Sequence, residues 1–197
     1  YSICSPNWAN ELEFYSIIVE NGPLTSKLKN IKINDQIILM TKSTGTLILD
    51  ALMPGKRLFL FSTGTGFAPF SSIIRDPETY DKYEQIIVTH TCRNINELQY
   101  SNSIISECKT NEFLNELTSN KLVYYQTTTR EKSTFFGRIT EKILDNSFYK
   151  DLSLNTIDVN NDRIMICGSI GFNNDLKKIL IHQKFEEGAT NKPGQFV

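Results

Sequence analysis

The chain contains no Cys-x-x-Cys. Its four cysteines, Cys4, Cys92, Cys108 and Cys167, stand far apart, so their spacing indicates neither a zinc site nor an iron–sulfur cluster. Isolated cysteines inside apolar strands point to reduced thiols and a cytoplasmic protein. No apolar run approaches the length of a membrane span, and no signal peptide is visible. Charge of either sign is not in excess. The net value is −1, which removes any global argument for nucleic acid or an anionic membrane as partner. Histidine is scarce, with only His90 and His182. His90 falls in a buried-looking strand and His182 near a helix end, so both are read as structural. No Ser-His-Asp order with a nucleophile elbow is present, which sets hydrolysis aside. Internal repeats and low-complexity tracts are missing as well. The chain also begins without methionine, at Tyr1, inside what looks like a motif, so a fragment is expected.

What is present is enough for a packed core: 197 residues, 40% hydrophobic and 22% charged. That length suits one large domain or two small ones. The organising stretch is Phe59-Leu60-Phe61-Ser62-Thr63-Gly64-Thr65-Gly66-Phe67-Ala68-Pro69-Phe70. An apolar strand breaks at a glycine turn, and a helix follows over Ala68–Ile74. In such a turn backbone N–H groups can approach a pyrophosphate, and the helix N-terminus adds positive dipole. Pro69 suits the first helical turn, where its missing N–H costs little. A tight turn without a ligand would carry the same residues.

Before residue 57 the pattern reads as β. Leu12–Val19 and Gln36–Thr41 are expected strands, Asn21-Gly22-Pro23 and Ser43-Thr44-Gly45-Thr46 turns, Leu24–Leu28 a short helix, and Met53–Lys56 a linker. From Arg57 the rhythm changes. Strands at Leu58–Ser62, Ile86–Thr91, Lys121–Gln126 and Arg163–Cys167 alternate with helices at Ala68–Ile74, Glu97–Cys108, Arg138–Leu144 and Phe172–His182. In the last helix Phe172, Leu176, Ile179 and Leu180 form one apolar face. Alternating β and α implies a parallel sheet covered on both sides, with ligands bound beyond the carboxyl ends of its strands.

Each expected strand delivers polar residues at that end. The second leads to Arg93, where an NAD-selective site often has a carboxylate. The third leads through Thr127-Thr128-Thr129 to Arg130, and Phe136-Gly137-Arg138 follows. Three guanidinium forks could converge on a 2′-phosphate; three solvated surface arginines, with or without Glu97, Glu131 or Glu141 as partners, are the alternative. The fourth leads to Cys167-Gly168-Ser169, where a flat nicotinamide could lie, or where a buried cysteine precedes a serine-capped helix. Tyr1-Ser2 could supply a ring to stack on a flavin and a hydroxyl for its N5. Gly22-Pro23-Leu24-Thr25 leads into a helix and reads as a second anion seat.

Together these residues resemble the bacterial ferredoxin (flavodoxin)–NADP reductases. Tyr1-Ser2 resembles the end of that family's Arg-x-Tyr-Ser flavin motif, Gly22–Thr25 its pyrophosphate turn, and Gly64–Pro69 its Gly-Thr-Gly-x-x-Pro. The stretches around Arg93, Arg130 and Arg138 resemble its NADP-phosphate segment, and Cys167-Gly168-Ser169 its nicotinamide-side motif. The likeness runs to Phe185-Glu186-Glu187-Gly188.

The resemblance implies a β half-barrel FAD domain, N-terminally incomplete, over residues 1–56, followed by an α/β parallel-sheet NADP-binding domain over 57–197. It implies Tyr1, Ser2 and Cys167 as the catalytic set. Tyr1, Ser2, Ile3, Ser16, Ile17, Gly22, Pro23, Leu24 and Thr25 would belong to the FAD site. Gly64, Thr65, Gly66, Pro69, Cys92, Arg93, Thr129, Arg130, Arg138, Gly168 and Asp175 would belong to the NADP(H) site, with no metal. NADPH would reduce FAD, and FAD would pass single electrons to ferredoxin or flavodoxin, in a monomer once complete. Lys27, Lys29 and Lys32 could meet an acidic carrier, or simply form a solvated face. Two other readings are a reductase component of another flavin-dependent electron-transfer system and a non-catalytic NADP-binding module.

The family's flavin-motif arginine and its flavin-shielding tail have no counterpart here. Poor FAD retention by this chain is therefore expected, and Gln195–Val197 is expected to begin a fifth strand too short to pair along its length.

Overall fold

Four apolar runs, each bounded by turn residues, form one parallel sheet. The computed structural model describes residues 1–42 and 44–197; Ser43, part of one expected turn, lies outside the described residues. The strands are β1 (Arg57–Thr63), β2 (Gln85–Cys92), β3 (Leu122–Thr128) and β4 (Asp162–Cys167), in spatial order β3-β2-β1-β4. All four expected strands are present, within two residues at either end. The helices are α1 (Thr25–Leu28), α2 (Phe67–Ile74), α3 (Pro77–Lys82), α4 (Gln99–Thr110), α5 (Asn115–Ser119), α6 (Ile139–Leu144), α7 (Ser147–Asp151) and α8 (Ile170–His182).

The strict alternation of strand side chains splits the core in two. Leu58 and Leu60 of β1, with Ile86 and Val88 of β2, pack against Phe67, Phe70 and Ile74 of α2 and Ile104 of α4. On the opposite face Phe59, Phe61 and Ile87 pack against Ile143 of α6, Phe148 of α7 and Leu176 and Leu180 of α8. A parallel sheet buried on both faces needs such unbroken apolar strands. Below it, Arg57 holds the fully buried Asp162 through Nε at 2.7 Å. That pair joins the N-terminal ends of β1 and β4.

The N-terminal expectations need correction. Neither Leu12–Val19 nor Gln36–Thr41 forms a paired strand; the contact of this kind among the described residues before 51 is one antiparallel bridge, Ile3 to Phe14. The reason is physical. An extended segment gains nothing from alternation unless a neighbour accepts its hydrogen bonds and covers its apolar face. Here Ile17, Ile18, Val19, Ile37, Ile38 and Met40 remain exposed. α1 forms inside the expected short helix, and Thr25 Oγ1 ties it back to Val19 N at 3.0 Å.

Gln195–Val197 does pair. Ile164 N–H donates to Gln195 O at 3.0 Å, Val197 N–H to Ile164 O at 3.0 Å and Ile166 N–H to Val197 O at 2.9 Å. Phe196 is buried in the α8 face of the core. These residues extend the sheet beside β4.

Candidate functional site

The chain leaves β1, builds β2 and β3 on one side, then crosses back to place β4 on the other. Strand order therefore reverses between β1 and β4. In open α/β sheets the crevice beyond the carboxyl ends at that reversal is where ligands bind. Gly64-Thr65-Gly66 leaves β1 there as one 3₁₀ turn, and Cys167-Gly168-Ser169 leaves β4 beside it.

The two turns nest, and only glycine permits it. Gly64 has φ +52°, in the left-handed region. A Cβ on Gly66 would overlap the Cys167 carbonyl, and one on Gly168 would overlap Thr63 Oγ1 and stand 2.7 Å from Phe172 Cδ1. Ser169 N–H donates to Thr63 Oγ1 at 3.2 Å, and Ser169 Oγ caps α8 by accepting from Phe172 N–H at 3.3 Å. The Gly-Thr-Gly turn runs directly into α2, whose first turn holds Pro69. A turn with glycine on either side of Thr65, at a helix N-terminus, lets backbone N–H groups approach a pyrophosphate. Cys167 is half-buried, and burial pushes its thiol up to about 11. It is neutral at physiological pH, a compact polarisable group and not a thiolate nucleophile. Asp175 stands exposed in the second turn of α8.

The arginine tips form a second cluster. β2 and β3 pair through Cys92 and Thr128, and the chains stay together beyond them. Thr129 N–H donates to Cys92 O at 3.0 Å, and Arg130 N–H to Arg93 O at 2.9 Å. Gly137 N–H returns to Thr128 O at 2.9 Å, which brings Arg138 to the same end of the sheet. All three arginines are exposed. They are solvated, as the alternative reading also has it, but without glutamate partners: no ion pair engages Arg93, Arg130 or Arg138 among the described residues. Glu97 instead accepts from Arg93 N–H and from Asn94 Nδ2, and Glu131 from Ile95 N–H. Cys92 does not face this cluster with its side chain. Its thiol lies buried 3.2 Å from His90 Nε2, pushed up to about 12 by burial.

The N-terminal segments dock on α2 and α4. Cys4 O accepts from Ser71 Oγ at 2.9 Å and from the buried Arg75 at 2.6 Å. Arg75 also donates to Glu13 Oε2 at 2.8 Å, and Tyr100 OH donates to Glu13 Oε1 at 3.0 Å. The Tyr15 and Tyr100 rings stack 4.2 Å apart. Tyr1, Ser2, Ile3, Ser16 and Ile17 thus lie exposed on the segments that this clasp anchors. At the Gly22–Thr25 turn a Cβ on Gly22 would meet Thr25 Oγ1 at 2.6 Å. Sequence reasoning missed Glu13, Arg75 and Tyr100, because no local pattern distinguishes them from surface residues.

Comparison with known proteins agrees with this geometry. The family profile described as oxidoreductase NAD-binding domain matches residues 60–178. A flavodoxin/ferredoxin–NADP reductase of Rhodobacter capsulatus is 47% identical over all 197 residues, which span 73% of that protein. Ferredoxin–NADP reductase A of Sorangium cellulosum is 42% identical over 197 residues, 71% of its length. Among solved structures, a ferredoxin NADP⁺ reductase from Neisseria gonorrhoeae with bound FAD and NADP superposes with a TM-score of 0.87 at 24% identity, over all of this chain and 77% of that one; this likeness concerns the fold. With a reversal-point crevice built from nested glycine turns and relatives of such identity along its whole length, the chain belongs to the flavodoxin/ferredoxin–NADP reductase family of oxidoreductases.

Proposed function

We propose that this chain is the NADP(H)-binding part, with a portion of the FAD-binding part, of a flavoprotein that exchanges electrons between NADPH and ferredoxin or flavodoxin through FAD. The observation that carries this reading is the pairing of two features at one end of the sheet. Nested glycine turns lie at the strand reversal, and three exposed arginines with no ion-pair partner among the described residues lie at the tips of β2 and β3. The first suits a pyrophosphate and the second a 2′-phosphate.

In this reading residues 57–197 bind NADP(H), and residues 1–56 contribute to a FAD half-barrel. Gly64, Thr65 and Gly66 present backbone N–H groups, with Pro69 completing the first turn of α2. Arg93, Arg130, Arg138 and the Thr129 hydroxyl hold the 2′-phosphate and so favour NADPH over NADH. Gly168 leaves room for a flat ring against β4, while the neutral Cys167 thiol beside it excludes water without competing for a proton. Asp175 lies on the helix that starts from this turn. Tyr1, Ser2, Ile3, Ser16, Ile17 and the Gly22–Thr25 turn hold FAD, with Tyr1 and Ser2 nearest its reacting ring. Bound FAD supplies the exchange between two-electron and one-electron transfer. Lys27, Lys29 and Lys32 face the acidic carrier. The protein works as a cytoplasmic monomer; no helix of the described residues is long and apolar enough to cross a membrane.

The test is NADPH-dependent cytochrome c reduction by the FAD-supplemented protein, with and without added ferredoxin or flavodoxin. Flavin absorbance and carrier-stimulated turnover are expected. NADP⁺ binding by the complete protein without flavin binding or turnover would instead identify a non-catalytic NADP module.

A further inference from the structure

We propose that His90, beyond its place in the core, is a positioning residue for the dinucleotide: its imidazole holds the Gly64–Gly66 turn so that backbone N–H groups face the pyrophosphate. This rests on the NADP reading above and specifies how the turn is held.

His90 Nε2 lies 2.8 Å from Gly64 O. A carbonyl only accepts, so Nε2 carries the hydrogen. In the neutral ring Nδ1 then bears the lone pair, and Ser101 Oγ stands 2.7 Å from it as donor. Tyr124 OH, 2.7 Å from Ser101 Oγ, donates in turn. The hydrogen bonds thus run in one direction, Tyr124 to Ser101 to His90 to Gly64. Leu98 O, 2.9 Å from Ser101 Oγ, is the competing acceptor for the serine hydrogen. His90 is fully buried, so the ring cannot exchange these partners for water.

The same ring holds the other end of the turn. It stacks on Phe67, centroids 5.0 Å apart, and Phe67 is the first residue of α2. Phe67 N–H also donates to Gly64 O. One imidazole therefore fixes the carbonyl that opens the turn and the side chain that closes it. The direction of the Gly64 carbonyl matters because no side chain restrains this residue; a Cβ there would meet nothing within 4 Å. In a trans peptide, C=O and the next N–H point opposite ways, and no peptide bond in the chain is cis among the described residues. With the Gly64 carbonyl held by His90, the Thr65 N–H points the opposite way, off the ring. Without the bond the Phe67 N–H alone restrains that carbonyl, and the ligand must do more of the ordering.

The experiment compares NADP⁺ with 2′-AMP, which has the 2′-phosphate but no pyrophosphate, by calorimetry on the wild-type chain, His90→Gln and His90→Leu. Gln keeps an N–H donor; Leu fills space without one. We expect His90→Leu to weaken NADP⁺ about tenfold, as for one lost buried hydrogen bond, and to leave 2′-AMP unchanged. His90→Gln should recover most of the loss. Equal losses for both ligands, or no loss, would overturn the assignment. Should His90→Leu not fold, ¹⁵N NMR of the wild-type imidazole decides. An Nε2–H resonance that moves with NADP⁺ and not with 2′-AMP supports the role, and an Nδ1–H tautomer overturns it. Wild-type protein that binds neither ligand overturns the NADP reading and this inference with it, whereas normal wild-type binding with indifferent variants overturns this inference alone.

Discussion

Arg130 donates its backbone N–H to Arg93 O while its side chain stays exposed, and that division of labour makes it a clean probe. Truncating the side chain leaves the strand-tip hydrogen bond in place. A charge-assisted bond to phosphate contributes ~1.5–3 kcal/mol, so Arg130→Ala should lose about tenfold or more in NADPH affinity. NADH, without the 2′-phosphate, should bind almost as before. Titrating both cofactors checks this, and equal losses would make the arginine structural. At this scale the sequence was legible wherever a residue's role follows from its neighbours in the chain. Gly64, Gly66 and Gly168 stand where a strand gives way to a helix, and the φ of +52° makes Gly64 a local necessity, whereas what a Cβ on Gly66 or Gly168 would strike, Cys167 O and Thr63 Oγ1, comes from across the fold. His90 is the counter-example. Its strand position marks it correctly as buried, but Gly64, Ser101 and Phe67 come to it only through the fold.

At the scale of elements, α2 is held from both sides. Its N-terminal end carries the glycine turn, and its C-terminal end carries Arg75 at the C-cap. Buried Arg75 reaches Cys4 O, Ser71 O and Glu13, and its own carbonyl accepts from Trp8 Nε1 at 3.1 Å. Lysine has one point of attachment and cannot replace this fork. Arg75→Met leaves Cys4 O with Ser71 Oγ and the half-exposed Glu13 carboxylate with Tyr100 OH, each without its charged partner. We expect a cost of about 2 kcal/mol, below the value for a fully buried pair because Glu13 keeps contact with water. Trp8 is the single tryptophan, so its emission reports whether residues 1–15 remain docked. A red shift and stronger acrylamide quenching are expected in Arg75→Met, while an unchanged spectrum would show that Tyr15 and Trp8 dock without the clasp. Element legibility follows the same logic. The four sheet strands are long apolar runs that need no context to be recognised. Short α5 and α7 carry too few residues to show a period, although α3 did offer a signal in the Asp76 cap and Pro77 at its start. Among the described residues, 36–41 has strand composition but no strand partner and 12–19 finds one bridge, Ile3 to Phe14, and composition alone does not make a ladder.

For the molecule as a whole, buried ionisable groups set a pH window of stability. Burial strips solvent from the His90 cation and lowers its pKa from 6.5 to about 4; the Gly64 bond and the Glu97 carboxylate offset part of that. The groups around the ring are otherwise the Cys92 thiol and, through Ser101, the Tyr124 phenol. Between these two pH values the unfolded chain binds a proton that the folded chain refuses. Stability therefore rises with pH: this share is fully present above about 6.5 and is lost as pH falls toward 4, about 3 kcal/mol in total. On the alkaline side the sign reverses. Burial raises Cys92 and Cys108 from 9.0 to about 12 and Cys167 to about 11. Unfolded thiols ionise from pH ~9 while the folded ones keep their protons, so stability falls as pH climbs beyond that point. Urea midpoints measured from pH 4.5 to pH 10 should show a plateau between about 6.5 and 9 with a decline on either side. Asp145 and Asp158, whose carboxyls are held below their ordinary range by hydrogen bonds from Ser147 and from Asn160 and Asn161, also contribute to acid unfolding, so the acid limb alone does not isolate the histidine. His90→Gln does. It removes the one histidine buried among the described residues and leaves both of these carboxylates in place. The decline between pH 6.5 and 4.5 should then become shallower, with the alkaline limb unmoved. An acid limb as steep as wild type would mean that His90 titrates normally in the folded protein and that carboxylates alone set the lower edge of the window.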